Sequence, residues 1–438
     1  MPVRGGNRGE SVRATVLVCA TAAAAGVLIG LIGAVFRWCL GAAEDLRADL
    51  VGWSHGLPGP GWLIPIVVVA VCATVAGLLV RWEPLAVGSG IPHLEAVFLG
   101  EARAPRLNVI PARFFGGVLA IGSGMVLGRE GPTVHMGATV GAEAAKRTRL
   151  PDRDARAMQA ALGGAGLAVA FNAPIAGVLF TLEEVTKSLR VRTVLATIFA
   201  AVAAVLASRL VLGNHPDFEV GPVPGPPLAW LPLFVVFGLL TGVLGAGYNV
   251  VILWLTDRVA AVPKISNPVK ATVIGALVGA ALCFAPLTVG DGDSLTQMVL
   301  GGHQFVLLTA AGLLAARFFT GPLSYSAAVP GGLFAPLLAV GALWGFVVAG
   351  CFSSVWPEDT TFLAIPLAIV GMTAFFGATV RAPLTGIVIV MEMTATVSLV
   401  LPTLAATASA VLAARVLRSE PIYDSLRKRM PIEGREER

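Results

Sequence analysis

Arg129 and Glu130 stand side by side in the run 121–138, IGSGMVLGREGPTVHMGA, boxed by Gly128, Gly131 and Pro132 and flanked by long apolar stretches. A charge at membrane depth is costly and faces a water-filled path or a partner. Glycines at that depth interrupt a helix and leave backbone N–H groups without intrahelical acceptors. A carboxylate set among such groups competes with an anion for the same donors, which is chemistry suited to ion transport. The other reading of the pair is a structural Arg–Glu contact at a helix kink, and the motif alone does not choose between them.

Three further interruptions carry groups of the same kind. In Gly88-Ser89-Gly90-Ile91-Pro92 the glycines free the backbone and Pro92 suits a first helical turn, so Ser89 either offers its hydroxyl to an anion or closes a simple turn. Pro330-Gly331-Gly332-Leu333-Phe334-Ala335-Pro336 has no charge. It exposes the N–H groups of Leu333 and Phe334 at a helix start, where the dipole favours anions. Tyr423 follows the last apolar run and either donates its O–H inward or anchors at the membrane interface. Together these segments supply amides and two hydroxyls but no full positive charge. That suits a permeating anion, which must be released as readily as it is bound.

Glu183 and Glu184 close an apolar run just before the basic loop 187–192. Burial lets a carboxyl hold a proton near neutral pH, so one of the two is a candidate proton carrier; the alternative is a helix-end pair contacting Lys187 and Arg190. His135, four residues into the helix after Gly131, reads as packing rather than as a ligand.

The elements that position these groups are membrane helices. The chain has 438 residues, 56% apolar and 13% charged, against about 25% charged in a soluble domain. Runs long enough to span, about 20 residues, are clearest at 14–36, 61–80, 191–212, 227–255, 270–290, 361–380 and 396–416. The first is too long for a signal-peptide core and reads as a retained span. No polar stretch is long enough for a soluble catalytic or C-terminal regulatory domain. The five cysteines show no metal-ligand spacing. Neither a metal nor another cofactor is expected. The net charge of +5 is spread over short loops and the tail, which gives no reason to expect nucleic-acid binding.

The chain also repeats itself. Val87-Gly88-Ser89-Gly90 recurs as Val289-Gly290-Asp291-Gly292, and Pro132, Gly137 and Ala138 recur as Pro336, Gly341 and Ala342. Asn172-Ala173-Pro174 through Glu183 recurs as Arg381-Ala382-Pro383 through Glu392. The order and near-constant offset divide the chain into a tail at 1–12, repeats at 13–212 and 213–418, and a final segment at 419–438. Equivalent loops differ in charge. The stretch 143–157 holds Lys146, Arg147, Arg149, Arg153 and Arg156, whereas its counterpart near 350–362 holds Glu358 and Asp359. Lys187, Arg190 and Arg192 face an uncharged counterpart at 396–401. Nearer the start of each half the sense reverses. Residues 44–49 carry Glu44, Asp45, Arg47 and Asp49, while 257–270 carry Arg258, Lys264 and Lys270 against Asp257. Opposite charge places equivalent loops on opposite sides, predicting an all-α, inverted-topology repeat. Such repeats hold their substrate at midplane between broken helices.

Taken together, GSGIP at 88–92, GREGP at 128–132, GGLFAP at 331–336, the two Pro174 and Pro383 segments and Tyr423 resemble the CLC family of chloride channels and chloride/proton antiporters. The resemblance covers essentially the whole membrane domain. It implies that Ser89, Tyr423 and the amides of Leu333 and Phe334 coordinate chloride. It makes Glu130 the external gating glutamate and Glu184 the internal proton-transfer glutamate, a position where family channels usually lack a carboxylate. Ser89, where nitrate-selective relatives carry Pro, favours chloride. His135 departs from the polar amide expected in a close bacterial antiporter. The resemblance further implies a homodimer in a bacterial inner membrane, with a pore in each subunit and both termini cytoplasmic.

The expected activity is therefore chloride/proton exchange. A passive chloride channel of the same fold is the alternative. A fluoride- or nitrate-selective relative fits less well, given GSGIP and Tyr423. An intramembrane hydrolase fits worst, because Ser89 and Ser123 lack a GxSG setting and there is no HExxH.

Overall fold

The computed structural model describes residues 8–356 and 360–430. Glu358 and Asp359, half of one loop comparison above, lie outside them, as do the first residues of the N-terminal tail and the end of the 419–438 segment. The first half of the chain forms α1 (Arg8–His55), α2 (Leu63–Trp82), α3 (Ile91–Leu99), α4 (Val109–Gly122), α5 (Glu130–Arg147), α6 (Asp152–Ala170), α7 (Pro174–Phe180) and α8 (Val191–Leu212). The second repeats that order as α9 (Leu231–Ala260), α10 (Asn267–Phe284), α11 (Asp293–Leu300), α12 (Leu307–Ser326), α13 (Phe334–Val355), α14 (Ala364–Val380), α15 (Pro383–Thr394) and α16 (Val400–Val416). A short α17 (Ile422–Lys428) follows. Among the described residues the only strand-like pairings are two single bridges, Gly88 with Pro330 and Gly128 with Gly332.

Eight of these helices are long and apolar enough to cross a membrane. They include six of the seven expected spans. The seventh, 396–416, is the shorter α16. α12 and α13 add two spans that the apolar runs did not mark out. α12 is the least apolar of the eight and carries Arg317 and Pro322 within it.

One expectation is corrected. Residues 44–49 are not a loop: α1 continues through them to His55. Good helix formers occupy that stretch, and Arg47 pairs with Glu44 one turn earlier at 3.1 Å. The link equivalent to 261–266 is 56–62, which has no Lys or Arg where 261–266 has Lys264. The charge contrast survives there on fewer residues.

The packing repeats with the sequence. α1 lies on α8 as α9 lies on α16, and α5 lies on α6 as α13 lies on α14. Small residues allow this closeness. Gly137 of α5 sits against the Leu162 carbonyl of α6, and its repeat mate Gly341 sits against the Gly371 carbonyl of α14. The inversion is visible where the halves meet. The Glu183 carboxylate, just past the end of α7, accepts the N–H groups of Leu384 (3.1 Å) and Thr385 (2.7 Å) at the start of α15. Glu392, at the end of α15, accepts those of Ile175 (3.1 Å) and Ala176 (2.8 Å) at the start of α7. Each helix caps the other's N-terminus, as only an antiparallel pair can, and each carboxylate meets the positive dipole end.

Candidate anion site and proton carboxylates

Three helix breaks, far apart in sequence, are tied to one another by backbone hydrogen bonds. Gly128 and Gly332 exchange N–H···O bonds of 2.9 and 2.8 Å. Gly88 donates to Val329 and accepts from Gly331, both at 3.2 Å. The N-termini of α3, α5 and α13 are therefore held together. The glycines are needed for two different reasons. Gly90, the N-cap of α3, has a φ of 81°, in the left-handed region that favours glycine. Gly131 needs space instead, since a Cβ there would lie 2.8 Å from Ser89 Cα. Ile91 opens α3. Pro92, Pro132 and Pro336 lie in the first turns of α3, α5 and α13, where a missing N–H costs nothing.

Glu130 is the first residue of α5 and is fully buried. Its Oε1 accepts the Phe334 N–H at 2.6 Å. The amide expected to hold an anion thus holds a carboxylate. Among the described residues, Glu130 Oε2, Ser89 Oγ and the Tyr423 hydroxyl oxygen are buried without a hydrogen bond of good geometry to the protein, and the Ser89 and Tyr423 hydroxyls neighbour each other. The Tyr423 and Phe334 rings lie 5.7 Å apart. Leu333 is the N-cap residue of α13, so its N–H also lacks an intrahelical acceptor. The structure therefore gathers the predicted donors around one carboxylate. Unpartnered buried hydroxyls are rare, because the loss of water goes uncompensated.

Arg129 turns away from Glu130. Its guanidinium donates to the Ala170 carbonyl (2.8 Å) and pairs with Asp217 (2.7 Å) and Asp293 (2.9 Å). Arg37 also meets Asp217, at 2.6 Å. This removes the reading of Arg129 and Glu130 as a structural pair. Among the described residues, no full positive charge bonds to Glu130.

Sequence reasoning missed Arg113. It is fully buried in α4, and its guanidinium gathers the carbonyls of Leu85 (2.9 Å), Val87 (3.0 Å) and Gly88 (2.6 Å), the approach to Ser89. Its Nε donates to His135 Nδ1 at 2.6 Å, and His135 Nε2 lies 2.9 Å from His93 Nδ1. A guanidinium can only donate. His135 Nδ1 must then accept, and its Nε2 carries the proton given to His93. His135 thus steers Arg113, a role its sequence position did not reveal. In the second half, Arg317 gathers the carbonyls of Leu287, Val289 and Gly290 in the same way. An arginine recurring inside two apolar helices was the available signal.

Residues Thr181–Val185 form a π-turn, a local widening common at functional positions. It sends its two carboxylates different ways. Glu183 is the α15 cap already described and does not pair with Lys187, which meets Asp424 at 3.6 Å. Glu184 is buried, and its carboxyl neighbours that of Glu95 on α3, also buried and also missed from sequence. Arg427 Nε lies 3.6 Å from Glu95, and the same guanidinium bonds Glu101 (2.6 Å) and Asp424 (3.2 Å). These contacts pin α17 against α3. Tyr423 is consequently a fully buried residue and not an interfacial anchor.

A family model described as voltage gated chloride channel matches residues 71–415. The chain is 37% identical over 409 residues to a protein of Vibrio cholerae serotype O1 named H(+)/Cl(-) exchange transporter ClcA, covering 92% of this chain and 87% of that protein. A Cronobacter sakazakii protein of the same name is 34% identical over 410 residues, with the same coverages of 92% and 87%. Among solved structures, a slow cyanobacterial Cl−/H+ antiporter superposes with a TM-score of 0.88 at 29% identity, over 94% of this chain and 97% of that one. A CLC-type fluoride/proton antiporter superposes with a TM-score of 0.75 at 20% identity, over 93% and 96%, a likeness of fold alone.

Proposed function

Because the chain belongs to the voltage-gated chloride channel family, we propose that it exchanges chloride for protons across a membrane. The observation that carries this reading is the Glu130 carboxylate seated on the Phe334 amide at the start of α13. Ionised, Glu130 holds the donor that an anion needs. Protonated, it loses the charge that binds it there and the amide is released to chloride. Ser89 and Tyr423 then add their unpartnered hydroxyls, and the amides of Leu333 and Phe334 complete the site. One side chain so answers to both ions. The other named glycines and prolines, with Ile91, hold the three helix starts in place.

Glu184 supplies protons from the side of the basic loops, which is cytoplasmic by their excess of Lys and Arg. In the same assignment both termini are cytoplasmic and the repeats are 13–212 and 213–418. The protein works in the bacterial inner membrane as a homodimer with one pore per subunit, as the family resemblance implies. A passive chloride channel is the second reading, and the buried carboxyl of Glu184 beside Glu95 favours exchange over it. The test is purified protein in liposomes, with chloride and proton fluxes recorded together. Uphill proton movement on a chloride gradient supports exchange, and chloride flux without it leaves a channel.

A further inference from the structure

The α5–α6 link forms one wall of a cavity of about 890 Å³ that none of the proposed chloride and proton groups lines. Arg106, Lys146, Arg149 and Arg156 line it, with Glu143 and Asp152 as its only carboxylates. Glu143 is already paired with Arg147 at 2.7 Å. Among the described residues, none of the four lining cations pairs with a carboxylate. A second cavity of about 810 Å³ adjoins it through Arg156 and adds Arg153 and Arg190.

Gln159 supplies an independent observation. It lines the larger cavity, is only 5% exposed, and its amide oxygen has no hydrogen-bond partner among the described residues. A buried amide left this way is destabilising unless something outside the protein bonds to it. Its O and N ends exchange by a flip of the side chain, so it can face an anion with its NH2.

Unpaired cations around a concave space, with an open amide at its inner wall, match a multivalent oxyanion. Chloride cannot bridge such a set, whereas phosphate oxygens accept the forked donors of arginine. Basic pockets at the cytoplasmic ends of membrane helices take anionic head groups for this reason. We propose that this cavity binds a phosphate-bearing anion, with the phosphate held by Lys146, Arg149 and Arg156 and touched by the Gln159 amide. The ligand would grip the ends of α3 and α5 opposite to those that carry Ser89 and Glu130. The binding itself does not depend on the exchange reaction.

The test uses the full chain in detergent at constant chloride and ionic strength. Inorganic phosphate, a nucleoside diphosphate, short-chain phosphatidic acid and phosphatidylcholine of equal chain length are the probes. Binding is read by calorimetry and native mass spectrometry. Saturable binding of a phosphate probe is expected. The double substitution Lys146→Ala/Arg149→Ala should weaken it at least about tenfold, since charge-assisted bonds are lost, and Gln159→Leu a few-fold. Arg258→Ala, at a residue that lines neither cavity, should leave it unchanged. A response to phosphatidic acid alone identifies a lipid head group, and a response to the soluble probes identifies a free phosphate compound. Lys146 and Arg149 are exposed, so the double variant is expected to fold. No saturable binding of any phosphate probe, or equal binding by the double variant and by Gln159→Leu, overturns the proposal.

Discussion

Replacing Glu130 by Gln tests the coupling of the two ions at its centre. The substitution keeps the shape of the side chain and removes its charge. In the structure that charge receives the Phe334 N–H at 2.6 Å while its second oxygen has no partner. A hydrogen bond to a charged group is worth about 1.5–3 kcal/mol. Chloride must displace the native carboxylate against that amount but a neutral amide against less. A neutral hydrogen bond is worth about 0.5–1.5 kcal/mol, so the difference is about 1–1.5 kcal/mol, and at about 1.4 kcal/mol per factor of ten chloride should bind Glu130→Gln about five- to tenfold more tightly. Calorimetric titration with chloride in detergent measures this. In liposomes the variant should conduct chloride, carry no protons, and largely lose its response to pH. An unchanged chloride affinity would mean that the carboxylate and the anion do not compete. Intact coupled exchange by folded Glu130→Gln protein would refute the mechanism outright.

Ser89→Pro removes a hydroxyl that now has no hydrogen bond of good geometry to the protein, so nitrate should gain on chloride and couple better to protons; paired anion-flux assays read this, and unchanged selectivity removes Ser89 from the site. Glu184→Gln should suppress proton movement while chloride flux stays measurable, and uphill proton pumping by the variant would contradict its role. Glu183→Gln and Glu392→Gln should each lower the thermal unfolding midpoint by an amount corresponding to about 1 kcal/mol, because each weakens a helix cap, and Glu183→Gln the more of the two because Glu183 also accepts the Thr385 hydroxyl. Glu183→Gln should also leave proton coupling largely intact. His135→Leu strands the Arg113 Nε donor and should cost about 1–3 kcal/mol, read as a lower unfolding midpoint; His135→Gln, which can still accept, should recover part of it.

The sequence by itself determined the helix breaks, six of the eight spans and the repeat. These are local or periodic properties. Glycine and proline decide backbone freedom where they stand, so GSGIP, GREGP and GGLFAP announce helix starts without knowledge of their surroundings. Apolar length marks a span in the same local way, and fails for α12, where Arg317 is satisfied by carbonyls outside its own helix. What each charged side chain touches was decided only by tertiary structure. Arg129 stands next to Glu130 in the chain yet pairs with Asp217 and Asp293, while Glu130 reaches an amide at Phe334 in the other repeat. Glu183 and Glu184 are neighbours that part at a π-turn, one to cap α15 and one toward Glu95. Tyr423 is buried because Arg427 fastens its helix to α3. In each case the backbone rule acts over a few residues, whereas a buried charge or hydroxyl is satisfied by whichever group the packed helices bring within hydrogen-bond reach. That group came from a distant segment, and nothing in the local sequence encodes which one.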